Sequence, residues 1–285
     1  MNSIFQPYDP TREQIDQRIR DIVSTEPDRD DLPQITRQLV TFLDLTTLEG
    51  SDTRHRIVQL CEKALRIRDE TRDRLCVAAV CVYSPFVAVA KSALAGSGIR
   101  VACATGGFPS GQLPLTLKCE EIRYALDQGA DEIDTVISRG KLLEGSENEV
   151  YDEIVSIRGI CHGKVLKVIL ETGELLTVQL IRKASELALM AGADFIKTST
   201  GKIQPAATEQ AVLVMLDAIK EFEMATGKQA GIKPAGGIQQ PDQAVRYYQL
   251  VSHILGDEWL NPRLFRIGAS RLADQLWNDL KASSA

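Results

Sequence analysis

The sequence predicts a single (β/α)₈ barrel preceded by one additional N-terminal helix. Short runs rich in Val, Ile, Leu or Cys alternate with longer helical stretches about eight times, which is typical of parallel β–α–β units. The chain has 285 residues, a usual size for one such barrel. Because periodicity alone does not show that a sheet closes, an open doubly wound sheet stays the alternative.

The predicted strands are short apolar runs bounded by glycine, proline or polar clusters, as expected for strands buried in a parallel sheet. They cover residues 39–46, 76–83, 99–106, 132–138, 165–172, 195–201, 231–237 and 264–270. The stretches between them place apolar residues at helical spacing. Two of the predicted helices end at Gly192 and near Gly227, since glycine commonly terminates a helix.

An N-terminal extension, residues 1–37, precedes the predicted barrel domain, residues 38–285. Residues 11–23 have an apolar stripe through Ile15 and Ile19, which predicts an amphipathic helix. We expect this helix to pack across the bottom of the barrel or on a partner subunit. The charged run STEPDRDDLP that follows it is predicted to be a linker, and no second domain is predicted.

The composition excludes several classes of function. A formal net charge of −6 and a pI near 5.3 do not indicate a nucleic-acid-binding surface. Neither a secretory signal nor an apolar run long enough to span a bilayer is visible, so a cytoplasmic protein is predicted. The six cysteines form no CxxC pair, which indicates free thiols. The three histidines lie far apart, so a histidine metal centre is not expected. No cofactor is expected either.

Ionisable side chains lie inside three of the predicted strands, which is unusual for buried parallel strands. They are Asp134 in the fourth, Lys197 in the sixth and Lys233 in the seventh. A single lysine in a strand usually lies at an edge with its ammonium in water. Because burying unpaired charge is costly, three such groups in one core are expected to contact one another or a ligand. A shared active site is favoured over a structural ion-pair group, since barrel active sites form at the carboxyl ends of the strands.

Two neighbouring lysines suggest a nucleophilic amine. An isolated lysine has a pKa of about 10.4 and is almost fully protonated at neutral pH. A second ammonium about 5 Å away would disfavour that protonated form by roughly 3 kcal/mol at an effective dielectric constant of about 20. Desolvation lowers the pKa further. One lysine could therefore attack a carbonyl group while the other tunes it, and Asp134 could move protons.

Small residues after the last two predicted strands suggest a phosphate site. Gly236 and Gly237 end the seventh predicted strand after Lys233, and Gly268-Ala269-Ser270 ends the eighth. Barrels often bind phosphate there through backbone N–H groups and a helix N-terminus. Gly201-Lys202 could add N–H donors and a cation. The run is not a nucleotide P-loop, because Ile196 occupies the position of the first glycine.

Five segments resemble the deoxyribose-phosphate aldolase family. They are LDLT at 43–46, ADEID at 130–134, KVILETGEL at 167–175, ADFIKTSTG at 193–201 and KPAGG at 233–237. The similarity runs in order from about residue 38 to about residue 275, and the two lysine-containing segments, at 193–201 and 233–237, are the most specific.

The resemblance implies a class I aldolase that reversibly cleaves 2-deoxy-D-ribose 5-phosphate to D-glyceraldehyde 3-phosphate and acetaldehyde through a lysine Schiff base, without a metal. It implies that Lys197 forms the imine, Lys233 tunes it, and Asp134 relays protons with water. Asp44 and Thr46 would support this network. Cys81 would line the pocket, although a packing role as a small buried hydrophobic residue is at least as well supported for it as a chemical role. The phosphate would be held by Thr200, Gly201, Lys202, Gly236, Gly237, Gly268 and Ser270.

The sequence departs from the family pattern in three places. Arg271 follows Ser270, where a small residue or serine is common. The last residues are Lys-Ala-Ser-Ser-Ala, without the terminal tyrosine that some relatives use. The extension at residues 1–37 is not needed for a minimal barrel, and its apolar stripe is expected to contribute to a subunit interface. We therefore expect a homo-oligomer, with a dimer favoured, whose partners are a small phosphosugar and aldehydes.

Three alternatives stay open. Another lysine-dependent barrel aldolase would keep these motifs and act on a different phosphosugar. A non-catalytic phosphosugar-binding barrel would not need the full set of Lys197, Lys233 and Asp134. A metal-dependent aldolase is disfavoured by the histidine count.

Overall fold

A computed structural model describes residues 4–71 and 74–283, and its strands form a parallel eight-stranded barrel. The strands are β1 (Leu43–Thr46), β2 (Ala79–Tyr83), β3 (Arg100–Thr105), β4 (Glu132–Val136), β5 (Val165–Ile169), β6 (Phe195–Lys197), β7 (Gly231–Lys233) and β8 (Ile267–Gly268). Hydrogen bonds join them in the order β7-β6-β5-β4-β3-β2-β1-β8. Parallel bridges from Ile232 to Phe265 and from Ala235 to Gly268 link the two ends of this sheet. The predicted barrel is therefore confirmed, and the open sheet is wrong.

Helices alternate with the strands and form the outer layer. They are α1 (Arg12–Val23), α2 (Leu32–Thr41), α3 (Arg54–Glu70), α4 (Val87–Ala93), α5 (Leu115–Asp127), α6 (Arg139–Leu143), α7 (Glu147–Ile160), α8 (Thr172–Leu175), α9 (Val178–Met190), α10 (Glu209–Thr226), α11 (Pro241–Leu255) and α12 (Arg271–Ser283). Threonine caps several N-termini: the Thr177 and Thr208 hydroxyls accept backbone N–H groups of α9 and α10. Within the described ranges, no helix has the length and apolarity to cross a membrane.

Several observed strands are shorter than predicted, because their apolar runs continue into loops. β6 and β7 end at their lysines, and the glycine-containing segments that follow leave the sheet. The first predicted strand was too long at its other end. Leu39 and Val40 belong to α2, where Ile35 and Leu39 are buried at a helical spacing of four residues. This helix also runs through the predicted boundary at residue 37.

The N-terminal extension packs on its own barrel wall. Within α1, Ile15 and Ile19 are buried, and the helix lies against α10 and α11. The Arg18 guanidinium donates two hydrogen bonds, of 2.7 and 2.8 Å, to the Asp217 carboxylate on α10. The helix therefore lies on the barrel wall and not across the barrel bottom as expected. A contribution of the extension to a subunit interface stays a prediction. Residues 1–3 of the extension lie outside the described residues.

We expect the substitution Ile15→Ala to lower the free energy of unfolding by about 2–4 kcal/mol, because it leaves a cavity between α1 and the barrel wall. Urea denaturation measures this change. Gln17→Ala, at an exposed position of the same helix, is the matched control and should change the unfolding free energy by less than about 0.5 kcal/mol. Equal effects of the two substitutions would contradict this packing.

Candidate active site

Strand register brings the three predicted ionisable residues together. Lys197 and Lys233 end adjacent strands and are direct register neighbours, while Asp134 lies in β4. All three are buried. The Lys197 and Lys233 ammonium groups donate to the same carboxylate oxygen, Asp134 Oδ2, at 2.8 and 2.7 Å respectively. The two Nζ atoms therefore lie no farther apart than the sum of these distances, close enough for one charge to influence the other.

These residues belong to a larger group of buried charges, which we call the core charge cluster. Its members are Asp44, Glu132, Asp134, Lys167, Lys197, Lys233 and Arg266. Lys167 donates to Asp134 Oδ1 at 2.8 Å and also to Glu132. Arg266 bridges Asp44 Oδ1 at 2.7 Å and Glu132 Oε1 at 2.8 Å. At the far end, Arg100 at the start of β3 reaches Glu132 Oε1 at 3.1 Å, with its side chain 46% exposed.

Three members of this cluster were not predicted as site residues. Glu132 and Asp134 are two positions apart in one strand, so they share its inward face, and this spacing could have indicated Glu132. Lys167 likewise lies in the apolar run of β5. Arg266 is a charged residue inside the eighth predicted strand, the same signal that identified the catalytic candidates.

The charge balance of the cluster depends on Lys197. The cluster contains four basic side chains and three carboxylates, all almost completely buried. If every basic group were protonated, one positive charge would be uncompensated in a low-dielectric interior, which is costly. With Lys197 neutral, Lys167, Lys233 and Arg266 match the carboxylates one for one.

The surroundings of the two lysines shift their pKa values in opposite directions. Burial lowers the pKa of Lys197, and the charge of Lys233 lowers it further, against the opposing effect of Asp134. Although burial also acts to lower the pKa of Lys233, the carboxylates of Asp134 and Asp44 raise it above its usual range. Lys233 therefore stays an ammonium while Lys197 loses its proton more readily.

Asp134 is held as a carboxylate. Burial alone would raise its pKa, but the positive charges of Lys167, Lys197 and Lys233 lower that pKa well below its usual range. A carboxylate stabilised to this extent is a weak proton acceptor on its own. The shared oxygen instead connects the two lysines, so a proton could pass between their nitrogens beside a fixed negative charge.

A cavity of about 220 Å³ lies above the cluster at the carboxyl ends of the strands. Lys197 lines it, whereas Lys233, Asp134 and Asp44 are not among its lining residues. All the predicted phosphate residues line the same cavity: Thr200, Gly201, Lys202, Gly236, Gly237, Gly268 and Ser270. Of the buried cluster, Lys197 is thus the member presented to a ligand in this cavity.

Glycine is required where two loops of this cavity meet. Gly201 and Gly236 have φ values of +78° and +83°. A Cβ atom on Gly236 would lie 2.8 Å from Gly201 Cα, closer than real Cβ atoms approach other atoms. Within the described parts of the chain, the backbone N–H groups of Gly201 and Gly237 meet no protein acceptor. These two donors are therefore available to an anion.

Other predicted phosphate donors are already engaged. The Thr200 backbone N–H and hydroxyl both donate to the carboxylate of Glu171, which is buried and adopts a φ of +56°. The Ser270 hydroxyl exchanges hydrogen bonds with the Thr46 backbone, and the Gly268 N–H donates to Pro234 O at 2.9 Å. These groups shape the cavity wall instead of offering free donors.

The remaining predicted residues lie around the cluster and the cavity. The Thr46 hydroxyl donates to the Asp44 backbone carbonyl at 2.9 Å and not to its carboxylate. Cys81 is buried with Ala102 and Ala104 in the small-residue part of the barrel interior, and burial raises the pKa of its thiol. Arg271 is exposed at the cavity rim, where it reaches Gln239 at 3.4 Å.

Comparison with known proteins finds consistent similarities. A family model described as DeoC/LacD family aldolase matches residues 39–249. The chain is 49% identical over 247 residues to deoxyribose-phosphate aldolase of Homo sapiens, with 83% of this chain and 78% of the human chain covered. The identity to the Mus musculus protein of the same name is 47% over 247 residues, with the same coverage of 83% and 78%. A tetrameric deoxyribose phosphate aldolase from Aeropyrum pernix shares the fold, with a TM-score of 0.68 at 23% identity over 96% of this chain and 100% of that chain.

We expect Lys233→Met to raise the pKa of Lys197, because the substitution removes a neighbouring cation and leaves Asp134 less compensated. Only the neutral amine is acetylated, so the pH profile of Lys197 acetylation should move to higher pH. Peptide mass spectrometry after timed acetylation measures this profile. Lys164→Met, at an exposed position outside the cluster, is the control and should leave it unchanged. An unshifted profile in Lys233→Met would show that Lys233 does not tune Lys197.

Proposed function

The chain belongs to the DeoC/LacD family of aldolases, and we propose that its core charge cluster and cavity carry out the chemistry of that family. The reaction is that of a deoxyribose-phosphate aldolase: reversible cleavage of 2-deoxy-D-ribose 5-phosphate to D-glyceraldehyde 3-phosphate and acetaldehyde. The observation that supports the assignment of roles most strongly is the position of Lys197. It is the basic group of the core charge cluster with a lowered pKa, and it lines a cavity that also contains free backbone donors.

The covalent step begins at Lys197. Its neutral amine attacks C1 of the open-chain sugar, and loss of water from the resulting adduct leaves an iminium ion. The C2–C3 bond then breaks, its electron pair moves toward the iminium, and the C3 hydroxyl loses its proton as C3 becomes the aldehyde of glyceraldehyde 3-phosphate. Protonation of the enamine at C2 and hydrolysis release acetaldehyde and restore the amine.

Lys233 and Asp134 support these reaction steps from beneath the cavity. The Lys233 ammonium lowers the pKa of Lys197 and is close enough to supply a proton as water leaves the first adduct. Asp134 holds both nitrogens in place and stabilises the positive charge of the iminium. Water in the cavity would complete proton transfer to C2, since Asp134 itself is strongly held as an anion.

The phosphate is assigned to the opposite end of the cavity. The Gly201 and Gly237 N–H groups, the Lys202 ammonium and the N-terminus of α12 at Arg271 lie along its wall. These groups would hold a dianion without placing it near the carboxylates of the core charge cluster. Binding there would set the distance between the sugar aldehyde and Lys197.

We also propose that the protein is a cytoplasmic homo-oligomer. Each subunit consists of one catalytic barrel and its N-terminal extension. All six cysteines are free, as is usual in a reducing compartment. A dimer is the simplest assembly, and Leu117 and Tyr124 on α5, which are 52% and 47% exposed, offer apolar surface for it. The mass in solution, measured by light scattering, distinguishes a dimer from a monomer or a tetramer.

Borohydride reduction in the presence of 2-deoxyribose 5-phosphate should trap a single adduct on Lys197, identified by peptide mass mapping. Lys197→Leu should abolish both the adduct and turnover, because Lys202, the other described lysine that lines the cavity, is an ammonium paired with Glu49. Lys164→Leu is the control and should retain both. An adduct on Lys233 would reverse the roles of the two lysines, and turnover close to wild type in Lys197→Leu would refute the mechanism.

Asp134→Asn should reduce kcat by about 10²–10⁴-fold while imine trapping still occurs. The substitution removes the negative charge that raises the pKa of Lys197, so the amine stays neutral and can react, but it no longer shares a charged oxygen with Lys233. Rapid-quench measurement of adduct formation separates the two steps. Since the variant leaves buried lysines less compensated, circular dichroism confirms that it is folded. Wild-type kcat would exclude Asp134 from the mechanism.

A further inference from the structure

An ion pair spans the opening of the cavity. Lys202 follows β6 and Glu49 follows β1, and their Nζ and Oε1 atoms are 2.8 Å apart. β7 and β8 lie between these two strands around the barrel. The pair therefore passes over the segments that follow β7 and β8, which contain Gly237 and Ser270. Both charged residues line the same cavity as these two residues.

Glu49 is an unfavourable residue for a phosphate cavity. Its carboxylate is anionic at neutral pH, because the hydrogen bond and charge of Lys202 lower its pKa. It is paired with the Lys202 ammonium, which together with Arg271 offers positive charge along the cavity wall, and it adds a negative charge beside the same space. The Lys202 side chain is 26% exposed and the Glu49 side chain is 54% exposed, so solvent screens the ion pair and the pair can open.

We propose that Glu49 is a specificity-determining residue that weakens binding of phosphorylated substrates by competing for Lys202. A phosphate that enters the cavity displaces the Glu49 carboxylate from the ammonium and is repelled by it. An unphosphorylated sugar leaves the ion pair intact and experiences neither effect. Glu49 therefore reduces the preference of this enzyme for phosphorylated over unphosphorylated aldehydes and sugars. This inference rests on the proposed function, because it assumes that the substrate phosphate occupies this end of the cavity.

The first test is binding of inorganic phosphate, which does not require turnover. Glu49→Gln should lower the dissociation constant of phosphate, measured by calorimetry, by about two- to fivefold, the range for a partly exposed ion pair. The difference should shrink in 0.5 M sodium chloride, since salt screens both the pair and the repulsion. Glu120→Gln, which removes one negative charge from an exposed pair with Arg123 on α5, is the control and should leave the constant unchanged. An unchanged or raised dissociation constant in Glu49→Gln would overturn the proposal.

The second test compares substrates. Glu49→Gln should lower KM for 2-deoxyribose 5-phosphate by the same factor and leave KM for 2-deoxyribose, and kcat for both, unchanged. In a Lys202→Met background the substitution should have a smaller effect, because the competition for Lys202 is gone and only the repulsion persists. Equal changes in KM for both sugars would overturn the assignment of specificity to Glu49. Failure of the wild-type protein to form the Lys197 adduct would instead refute the proposed function. The phosphate dissociation constants of the wild-type protein and Glu49→Gln would still decide whether Glu49 competes with phosphate for Lys202.

Discussion

The structure depends on a balance of charge inside the barrel. Where most barrels fill their interior with branched apolar residues, this one places three carboxylates and four basic groups there. Such a core is stable only if nearly every charge has a partner, and the partners come from strands that are distant in sequence. The requirement holds Asp134 between Lys167, Lys197 and Lys233, and it leaves Lys197 as the group whose proton is least needed. Reactivity and structural compensation thus arise from the same contacts.

The cavity and the core charge cluster lie at different depths in the barrel, with the cavity above the cluster. Beneath it lie charged side chains fixed by short hydrogen bonds, and around it lie backbone segments shaped by glycine and by Glu171. Lys197 is the residue common to both layers, since it ends β6 and the loop that contains Gly201 follows directly. A ligand can therefore vary in its contacts with the loops while the Lys197 amine keeps one environment. This arrangement suits a reaction in which one end of the substrate is anchored and the other forms a covalent bond.

Much of this organisation was predictable from the sequence, and the exceptions have physical reasons. Alternating strands and helices identified the barrel, and charged residues inside apolar strands identified Lys197, Lys233 and Asp134. The strand ends were placed too far along the chain, because an apolar run does not show where its backbone leaves the sheet. Residues 39–42 were misassigned for a related reason: a short apolar run fits a strand and the end of a helix equally well. Hydrogen-bond partners such as Glu171 for Thr200, and Glu49 for Lys202, depend on loops that meet only in the folded chain.

One contact at the far end of the barrel changes how variation in this protein should be interpreted. Barrels are commonly described as having a catalytic face and an opposite face that serves stability, which can drift independently of each other. Here Arg100, half-exposed at the start of β3, touches Glu132, and Glu132 is joined through Lys167 to the carboxylate that holds Lys197. The two faces of this barrel are therefore linked by direct contacts, and a substitution on one face can affect the other. A replacement on the distant rim that folding tolerates would still change the charges next to Asp134, so fewer substitutions should be neutral at that rim of this protein than in barrels with apolar interiors.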